Sequence, residues 1–347
     1  EQILADGGQF ERSPMYHALA LEDVLDLINV ANAYRDRVPA KWRGFVASWT
    51  ALAQRMRLWL AAMCHPDGEI SLFNDAAIGI APSPAELERY ANELVGKPGT
   101  AVASVGADGG ANGGAFRYLH LADSGYVRAD APEAALLMDV APVGPDYLPA
   151  HAHADTLSFE LSIFGQRVIV NGGTSRYGLG PEREAERGTP AHSTVTVNGQ
   201  DSSEVWAGFR VARRARPFDL AVRRAAERRR VSCAHDGCLR LSGRPVHRRT
   251  WLFQPGRLRV EDRIEGGFES AVARFHLHPA VECILDESGS SGRIRVAGGR
   301  EAQWRISGGL TRVERSIYCP EFGRREPTQC LAVEFGGGAS VCMELTW

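Results

Sequence analysis

A chain of 347 residues with 44% hydrophobic and 24% charged residues is long enough for two domains around a large buried core, and its composition is that of an ordinary globular protein. No apolar run approaches the ~20 residues of a membrane-spanning helix, and no signal peptide is visible. The net charge of −2 hides an asymmetry, because thirteen arginines stand against three acidic residues between Arg210 and Arg249. That run reads either as a solvated strand face or as a surface for a polyanion, since planar guanidinium forks suit carboxylates and sulfates. No helix-turn-helix, zinc-finger or RNP-type pattern accompanies it, which argues against nucleic acid. The seven cysteines form no regular framework and no paired Cys-x-x-Cys. One or two bridges remain compatible with them, including a hairpin closed within "CAHDGC".

The opening "EQILADGG" carries no methionine and reads as the inside of an element, which points to a longer parent protein. Residues 1–95 read as helical. "ALEDVLDLINVANAY" aligns Leu21, Val24, Leu25, Ile28 and Ala31 in one stripe. A second, wider stripe runs from Trp42 and Phe45 through Trp49, Met56, Trp59 and Leu60 to Met63. Both fit a 3.6-residue period. At "SPAELERYANELV", Ser83 can cap a third helix, Pro84 suits its first position and Glu86 completes a capping box. Ahead of the first helix, after a Gly-rich turn, Tyr16 and His17 stand at its entrance; such a pair is usually packing.

A Gly- and Ala-rich segment without periodicity, residues 96–116, reads as a linker. From residue 117 to 347 short alternating runs bounded by Gly, Pro, Asn or Asp predict an antiparallel β-sandwich. The fold class is therefore α+β and multidomain. Within the β part, "PAHAHADTLSFELS" sets His151, His153 and Asp155 at alternate positions, which on a strand share one face. The trio can bind a metal, move protons or fill a polar rim. Thr156 after Asp155 departs from a metallo-β-lactamase-type site, Glu160 comes too late for a cupin, and no βα alternation supports an amidohydrolase barrel. "FHLHP", with His276 and His278, resembles a metal pair but has no third ligand near it and reads as core.

Taken together, "RSPMYH", "HPDGEISLFNDAA", "LPAHAHADTLSFELS" and "AHSTVTVNGQDSSEVWAGFRVARRA" resemble the heparinase II/III family of polysaccharide lyases. The resemblance is strongest around His151 and loosens beyond Arg216. It implies the last helices of an (α/α) toroid joined to a β-sandwich, with an active site between them that performs β-elimination on a uronic-acid-containing polysaccharide. By resemblance, Tyr16 is the acid/base that reaches the C5 proton or O4. His151 neutralises the uronate carboxylate or acts as the alternative base, and His17 and Arg12 are second-tier candidates beside Tyr16. Arg176, Tyr177, Arg183, Arg187 and Glu204, in loops following the site, are candidates to line a sugar groove. His153 and His192 match metal-binding histidines of the family; Asn171 stands where the family has an aspartate, so a structural zinc should be weakened or replaced by a hydrogen-bonded His153–Asn171–His192 cluster. Asp155 is expected to orient His153 from behind.

The resemblance further implies an asparagine on an earlier toroid helix, for which this sequence has no position, and a periplasmic or secreted location. An acidic polysaccharide is the expected partner. Two alternatives stay open: a non-catalytic carbohydrate-binding or exopolysaccharide-assembly protein of the same fold, and a metal-dependent hydrolase. The second is disfavoured by the context of Asp155.

Overall fold

The N-terminal part is built on three helices whose starts and buried faces follow from local chemistry. α1 (Pro14–Ala33) begins where Ser13 accepts the Tyr16 N–H, with Pro14 in the first helical position, where its missing N–H costs nothing. It buries Met15, Leu21, Leu25 and Ile28. α2 (Ala40–Ala62) buries Met56, Trp59 and Leu60, but Trp42 and Phe45 are more than half exposed. The wide apolar stripe is thus covered only over its C-terminal half by the described elements. α3 (Pro84–Val95) starts at the expected capping box: Ser83 accepts the Glu86 N–H and the Glu86 carboxylate accepts the Ser83 N–H. Arg57, buried in α2, reaches Glu88 and Asn92 and locks α3 in place.

The computed structural model describes residues 2–97, 116–225, 228–337 and 340–347; nearly all of the expected 96–116 linker lies outside them. From Arg117 onward the chain is antiparallel sheet, in more layers than a two-sheet sandwich. A five-stranded sheet runs in chain order through Arg117–Leu121, Tyr126–Ala131, Ala134–Asp139, Phe159–Ile163 and Gln166–Ile169. A four-stranded sheet orders Leu310–Tyr318, Glu326–Phe335, Ala271–His276 and Val195–Val197. An eight-stranded sheet includes, as neighbours, Ser340–Thr346, Arg257–Glu265, Val246–Gln254, Arg228–His235 and Pro217–Ala225. Glu204–Trp206 and Arg210–Ala212 make a separate hairpin. One core joins the three large sheets: Leu136 and Phe159 from the first, Phe275 and Val333 from the second, Trp251 and Val260 from the third. Period-2 alternation predicts each strand but carries no information on where one sheet ends, so the layering was not legible.

All seven cysteines are free thiols, and Cys233 and Cys238 make no hairpin bridge. His276 is a satisfied core histidine, bonded to Ser316 and to the Pro190 carbonyl.

The loop after α2 ties helices to sheets. Ile70 and Leu72 pack in one cluster with Met56, Leu60, Val170 and Tyr318. At its centre, fully buried Glu160 accepts from the Leu72 N–H at 2.7 Å and from His65 Nε2 at 2.8 Å, while His65 Nδ1 takes the Ser162 hydroxyl. Arg167 holds Asp67 and the carbonyls of Glu69 and Ile70. Glu160→Ala should therefore orphan a buried imidazole and a buried N–H, at a cost of about 3–5 kcal/mol. The check is urea unfolding, where a lower midpoint with unchanged slope is expected.

Candidate active site

Asn74 and Asp75, which follow this anchored loop, are the residues around which the site is built. Asn74 adopts a left-handed φ of 58°, one that Asn tolerates better than most residues. Its amide donates to the Arg12 carbonyl and the Tyr126 hydroxyl, and its carbonyl takes the His153 N–H. The turn delivers Asp75 into a pocket with no solvent exposure. There its carboxylate accepts from His151 Nδ1 at 2.9 Å, from His153 Nε2 at 2.8 Å, and from both terminal nitrogens of Arg183. Thr174 adds a long contact at 3.4 Å. Burial alone would raise the pKa of Asp75; the donors from His151, His153 and Arg183 overcome it and hold the carboxyl far below its usual range. Its main chain is used too: the Asp75 N–H donates to the His151 carbonyl, and the Ser13 hydroxyl at the start of α1 donates to the Asp75 carbonyl.

The stretch 151–158 is not a strand. The first strand residue is Phe159, and Leu157 has a φ of 64°. A long-range hydrogen bond from the Ala154 N–H to the Arg187 carbonyl and a turn bond from the Ser158 N–H to the Asp155 carbonyl shape it instead. His151 and His153 still converge, but on the two oxygens of Asp75 and not through a shared strand face. Asp155 does not orient His153. It is buried with Oδ2 unpartnered, and His153 takes its orientation from Asp75.

Because Nδ1 of His151 donates to Asp75, its Nε2 carries the lone pair. That nitrogen lies 4.0 Å from a Glu11 carboxylate oxygen, on a side chain that keeps 19% of its exposure. Tyr16 packs beside it, ring centroids 4.2 Å apart, and its hydroxyl meets the Tyr177 hydroxyl at 2.9 Å. Burial, the largest effect, pushes the Tyr16 phenol above its usual value; Asp75 and Glu11 add to this, and Tyr177 and Arg183 oppose it. Phe209, from the hairpin loop, and Phe322 complete an aromatic rim around Tyr177, and Arg183 lies 5.1 Å from the Tyr177 ring centroid. The arrangement therefore offers an imidazole nitrogen and a protonated phenol side by side in one cleft.

Several expected site residues lie elsewhere. His17 is fully buried against Trp59, accepts the Gln9 N–H and donates to the Met56 carbonyl, and burial lowers its pKa to about 4. It is one residue past Tyr16, on the core side of α1. Arg187 is buried, and its guanidinium holds the carbonyls of Ala152, Trp206, Ala207 and Arg210, so it scaffolds the loops instead of meeting a sugar. Glu204 pairs with Arg213 across the exposed hairpin. Arg12 turns its Nε to the Ser124 carbonyl. Arg176 is exposed, 3.9 Å from Glu182. Tyr177 and Arg183 are in the site. Sequence reasoning missed Asp75, Asn74, Glu11, Phe209 and Phe322; an Asn-Asp pair in a loop of turn residues was the one signal for the first two.

His153 and His192 stand with ring centroids 5.2 Å apart. His192 Nδ1 meets the Asn171 carbonyl oxygen at 3.2 Å. Their remaining nitrogens, His153 Nδ1 and His192 Nε2, are buried without a hydrogen-bond partner. With the other nitrogen of each ring donating, both are lone pairs, the chemistry a borderline cation would take. Asn171 orients His192 and points its amide toward Glu160. Among the described residues no group of three His, Cys, Asp or Glu side chains comes together around a metal position. Burial lowers the pKa of His153 to about 4 and holds His192 further below its usual range, so both are neutral.

Comparison with known proteins gives two family profiles in register: "Heparinase II/III N-terminus" over residues 1–92 and "Heparinase II/III-like, C-terminal" over residues 115–347. Two curated relatives are each described as heparin-sulfate lyase. The one from Pedobacter heparinus is 27% identical over 212 residues, and that from Bacteroides stercoris 27% over 207; each match covers 58% of this chain and 30% of the relative. Among solved structures, heparan sulfate lyase HepC from Pedobacter heparinus superposes with a TM-score of 0.73 at 17% identity, covering 99% of this chain and 53% of that one. A structure of heparinase III gives 0.76 at 16%, covering 99% and 55%. The chain thus covers 30% of the curated relatives and about half of the solved structures it matches.

Asp155 and Asp139, both fully buried, are pushed above the ordinary carboxylate range by desolvation and, for Asp139, by the charge of Asp155. An acid whose folded pKa is raised contributes stability below its unfolded value, near 4, and loses it as pH rises through the folded value. Asp155→Asn should accordingly raise the melting temperature at pH 8, with the difference from wild type closing toward pH 4, as measured by calorimetry across that range.

Proposed function

Since the chain belongs to the heparinase II/III-like family, we propose that it forms one side of a polysaccharide lyase cleft and cleaves a uronic-acid-containing polysaccharide by β-elimination. The observation that carries this reading is the meeting of Tyr16, from the helical part, with His151, from the sheet part, over a buried aspartate that sets the imidazole tautomer. In the reaction, His151 Nε2 takes the proton from C5. The C5 electrons form the C4=C5 double bond as the C4–O4 bond breaks, and the Tyr16 hydroxyl gives its proton to O4. The Tyr177 hydroxyl, 2.9 Å away, steadies the phenolate, and the adjacent imidazolium returns the proton to it for the next turnover. The raised pKa of Tyr16 suits an acid that must remain protonated until the bond breaks, and it moves the alkaline limb of the pH profile above the usual phenol value near ~10.

Asp75 holds the base in place, and its hydrogen bond to Nδ1 stabilises the imidazolium as it forms, the role of an aspartate behind a catalytic histidine. The uronate carboxylate must also be balanced, and the family resemblance assigns that task to an asparagine on an earlier helix. Because acid and base sit side by side, they reach one face of the sugar ring. This favours substrates whose C5 hydrogen and O4 share a face, as in glucuronate, over the C5 epimer. On the same reading the protein works where such polymers are met, in the periplasm or outside the cell. The toroid likeness of α1–α3 belongs to this proposal as well.

The test is incubation of the protein with a panel of uronate polymers while the ultraviolet absorbance of a conjugated unsaturated acid is followed. Tyr16→Phe and His151→Ala should each lower kcat by about 10²–10⁴-fold, and Asp75→Asn by a similar factor. Product with only reducing ends would indicate a hydrolase, binding without product would indicate a carbohydrate-binding protein, and full activity in both single variants would remove the assignment.

Zinc is a separate proposal: an ion held by His153 Nδ1 and His192 Nε2, tying the 151–158 loop to the segment after Ala191, with Asn171 orienting His192. It would supply structural cross-linking behind His151 and no acid–base step. Two imidazoles are half of a structural zinc set, so the ion should be lost on dialysis against chelator with a fall in melting temperature. Elemental analysis should find zinc in wild type and none in His153→Ala/His192→Ala.

A further inference from the structure

The arginine concentration between Arg210 and Arg249 is not consumed by the cleft. Strand Arg228–His235 alternates strictly at its start: Arg229 and Val231 are buried, while Arg228 and Arg230 face solvent. Register then brings arginines together across the sheet. Arg230 lies opposite Arg223 on one neighbouring strand and opposite Leu252 on the other, and Leu252 lies opposite Arg259. The outcome is a trough of about 440 Å³ on the solvent face of the eight-stranded sheet, lined by Arg223, Arg224, Arg228, Arg230 and Arg259, with Glu261 the one acid among the described lining residues.

The balance of charge in the trough is unusual. Arg259 reaches Glu261 at 3.5 Å, and Arg223, Arg228 and Arg230 have no acidic partner among the described residues. Like charges placed directly opposite on neighbouring strands destabilise a sheet; Arg223 and Arg230 are such a pair. The opposite face of the three inner strands is ordinary core, with Val231, Trp251, Phe253 and Val260 buried together, while Pro217–Ala225 is an edge strand with no buried residue, so packing dictates nothing about the charge of the outer face. None of the trough residues belongs to the cleft around Asp75.

We propose that this trough is a second, non-catalytic binding face that takes a run of acidic polysaccharide through its sulfate or carboxylate groups; the class of polymer rests on the proposed lyase function. The strands that carry Arg223 and Arg230 lie about 4.8 Å apart, and Arg259 follows two strands on, beyond Leu252, so that forks are set side by side for the anionic substituents of one polymer. The floor between them is Thr250 and Leu252, with no aromatic ring among the described lining residues. That composition suits a sugar chain and lacks the stacking platforms on which single-stranded nucleic acid depends. Holding a polymer at a distance from the cleft raises the local concentration of its other segments at the catalytic groups. The face should therefore matter for long polymers and not for short oligosaccharides.

The test is Arg223→Gln/Arg228→Gln/Arg230→Gln in the full chain, compared with the parent, both carrying His151→Ala so that binding is read without turnover. The probe is a heparin-derived decasaccharide in titration calorimetry at several salt concentrations. The triple substitution is expected to weaken binding at least tenfold at low salt and to flatten the dependence of log K on log salt by about 2–3. With His151 restored, KM for a long polymer should rise while kcat/KM for a tetrasaccharide stays unchanged. Undiminished decasaccharide affinity in the triple variant would overturn the proposal. So would single-stranded DNA of equal charge that binds the parent more tightly than the decasaccharide and is released by the same substitutions. Arginine-dependent binding in a protein that eliminates none of the uronate polymers would leave this face standing and remove the lyase reading alone.

Discussion

The structure depends on a single buried negative charge. Asp75 lies beyond the reach of water, and a carboxylate there is tolerable only when its oxygens are fully engaged. Its partners come from places far apart in the chain: His151 and His153 from the loop before a strand, Arg183 from a short helix (Pro181–Arg187), and Ser13 on its carbonyl from the start of α1. The helical and sheet parts are therefore joined by an electrostatic requirement as well as by the apolar cluster of Ile70, Leu72, Val170 and Tyr318. Displacing either part by an ångström would expose the carboxylate to a deficit of donors, so the same contact that joins the two parts fixes the distance between Tyr16 and His151.

Hydrogen-bond direction propagates outward from that charge. An ionised carboxylate only accepts, so both histidines must present N–H to it, and each is left with a lone pair on its other nitrogen. In His151 that lone pair faces the cleft; in His153 it faces the interior, beside the equally unprotonated nitrogen of His192. Two adjacent histidines thus acquire different chemistry from one aspartate, one poised to take a proton from outside and the other to hold something within. Arg183, which neutralises Asp75 through a bidentate contact, keeps the pair from becoming a net anion that would repel an acidic substrate.

Much of this was legible in the sequence, and the parts that were not share a cause. The helices announced themselves through a 3.6-residue period and, for the third, through Ser83, Pro84 and Glu86, whose effects are local. Strands announced themselves through alternation. Tyr16 and His151 were reached through motif resemblance, Tyr177 and Arg183 as loop residues following the site, and the structure brings the four together. His17 and Arg187 misled because a residue type compatible with chemistry is equally compatible with capping a carbonyl, and only burial distinguishes the two. Asp75 was passed over since a loop aspartate among turn residues looks solvated. Its importance arises from contacts 76, 78 and 108 positions away, which no local pattern encodes.

Arginine shows the same ambiguity on a larger scale, and here burial divides the set cleanly. Arg183, Arg187 and Arg249 are wholly buried and spend their donors on Asp75, on backbone carbonyls and on Asp262. They are structural braces, suited to the task because one planar fork can satisfy several acceptors. Arg228 and Arg230 occupy the outward positions of a strand whose inward positions are core, Arg223 lies on the exposed edge strand beside it, and the strand register sets Arg223 and Arg230 face to face. A brace lowers the energy of the fold; a face of like charges raises it. The two kinds share one residue type, so arginine is not one feature with one purpose: Arg183 and Arg187 brace the cleft and its loops, Arg249 braces the sheets through Asp262, and the outward set is one whose repulsion a polyanion would relieve.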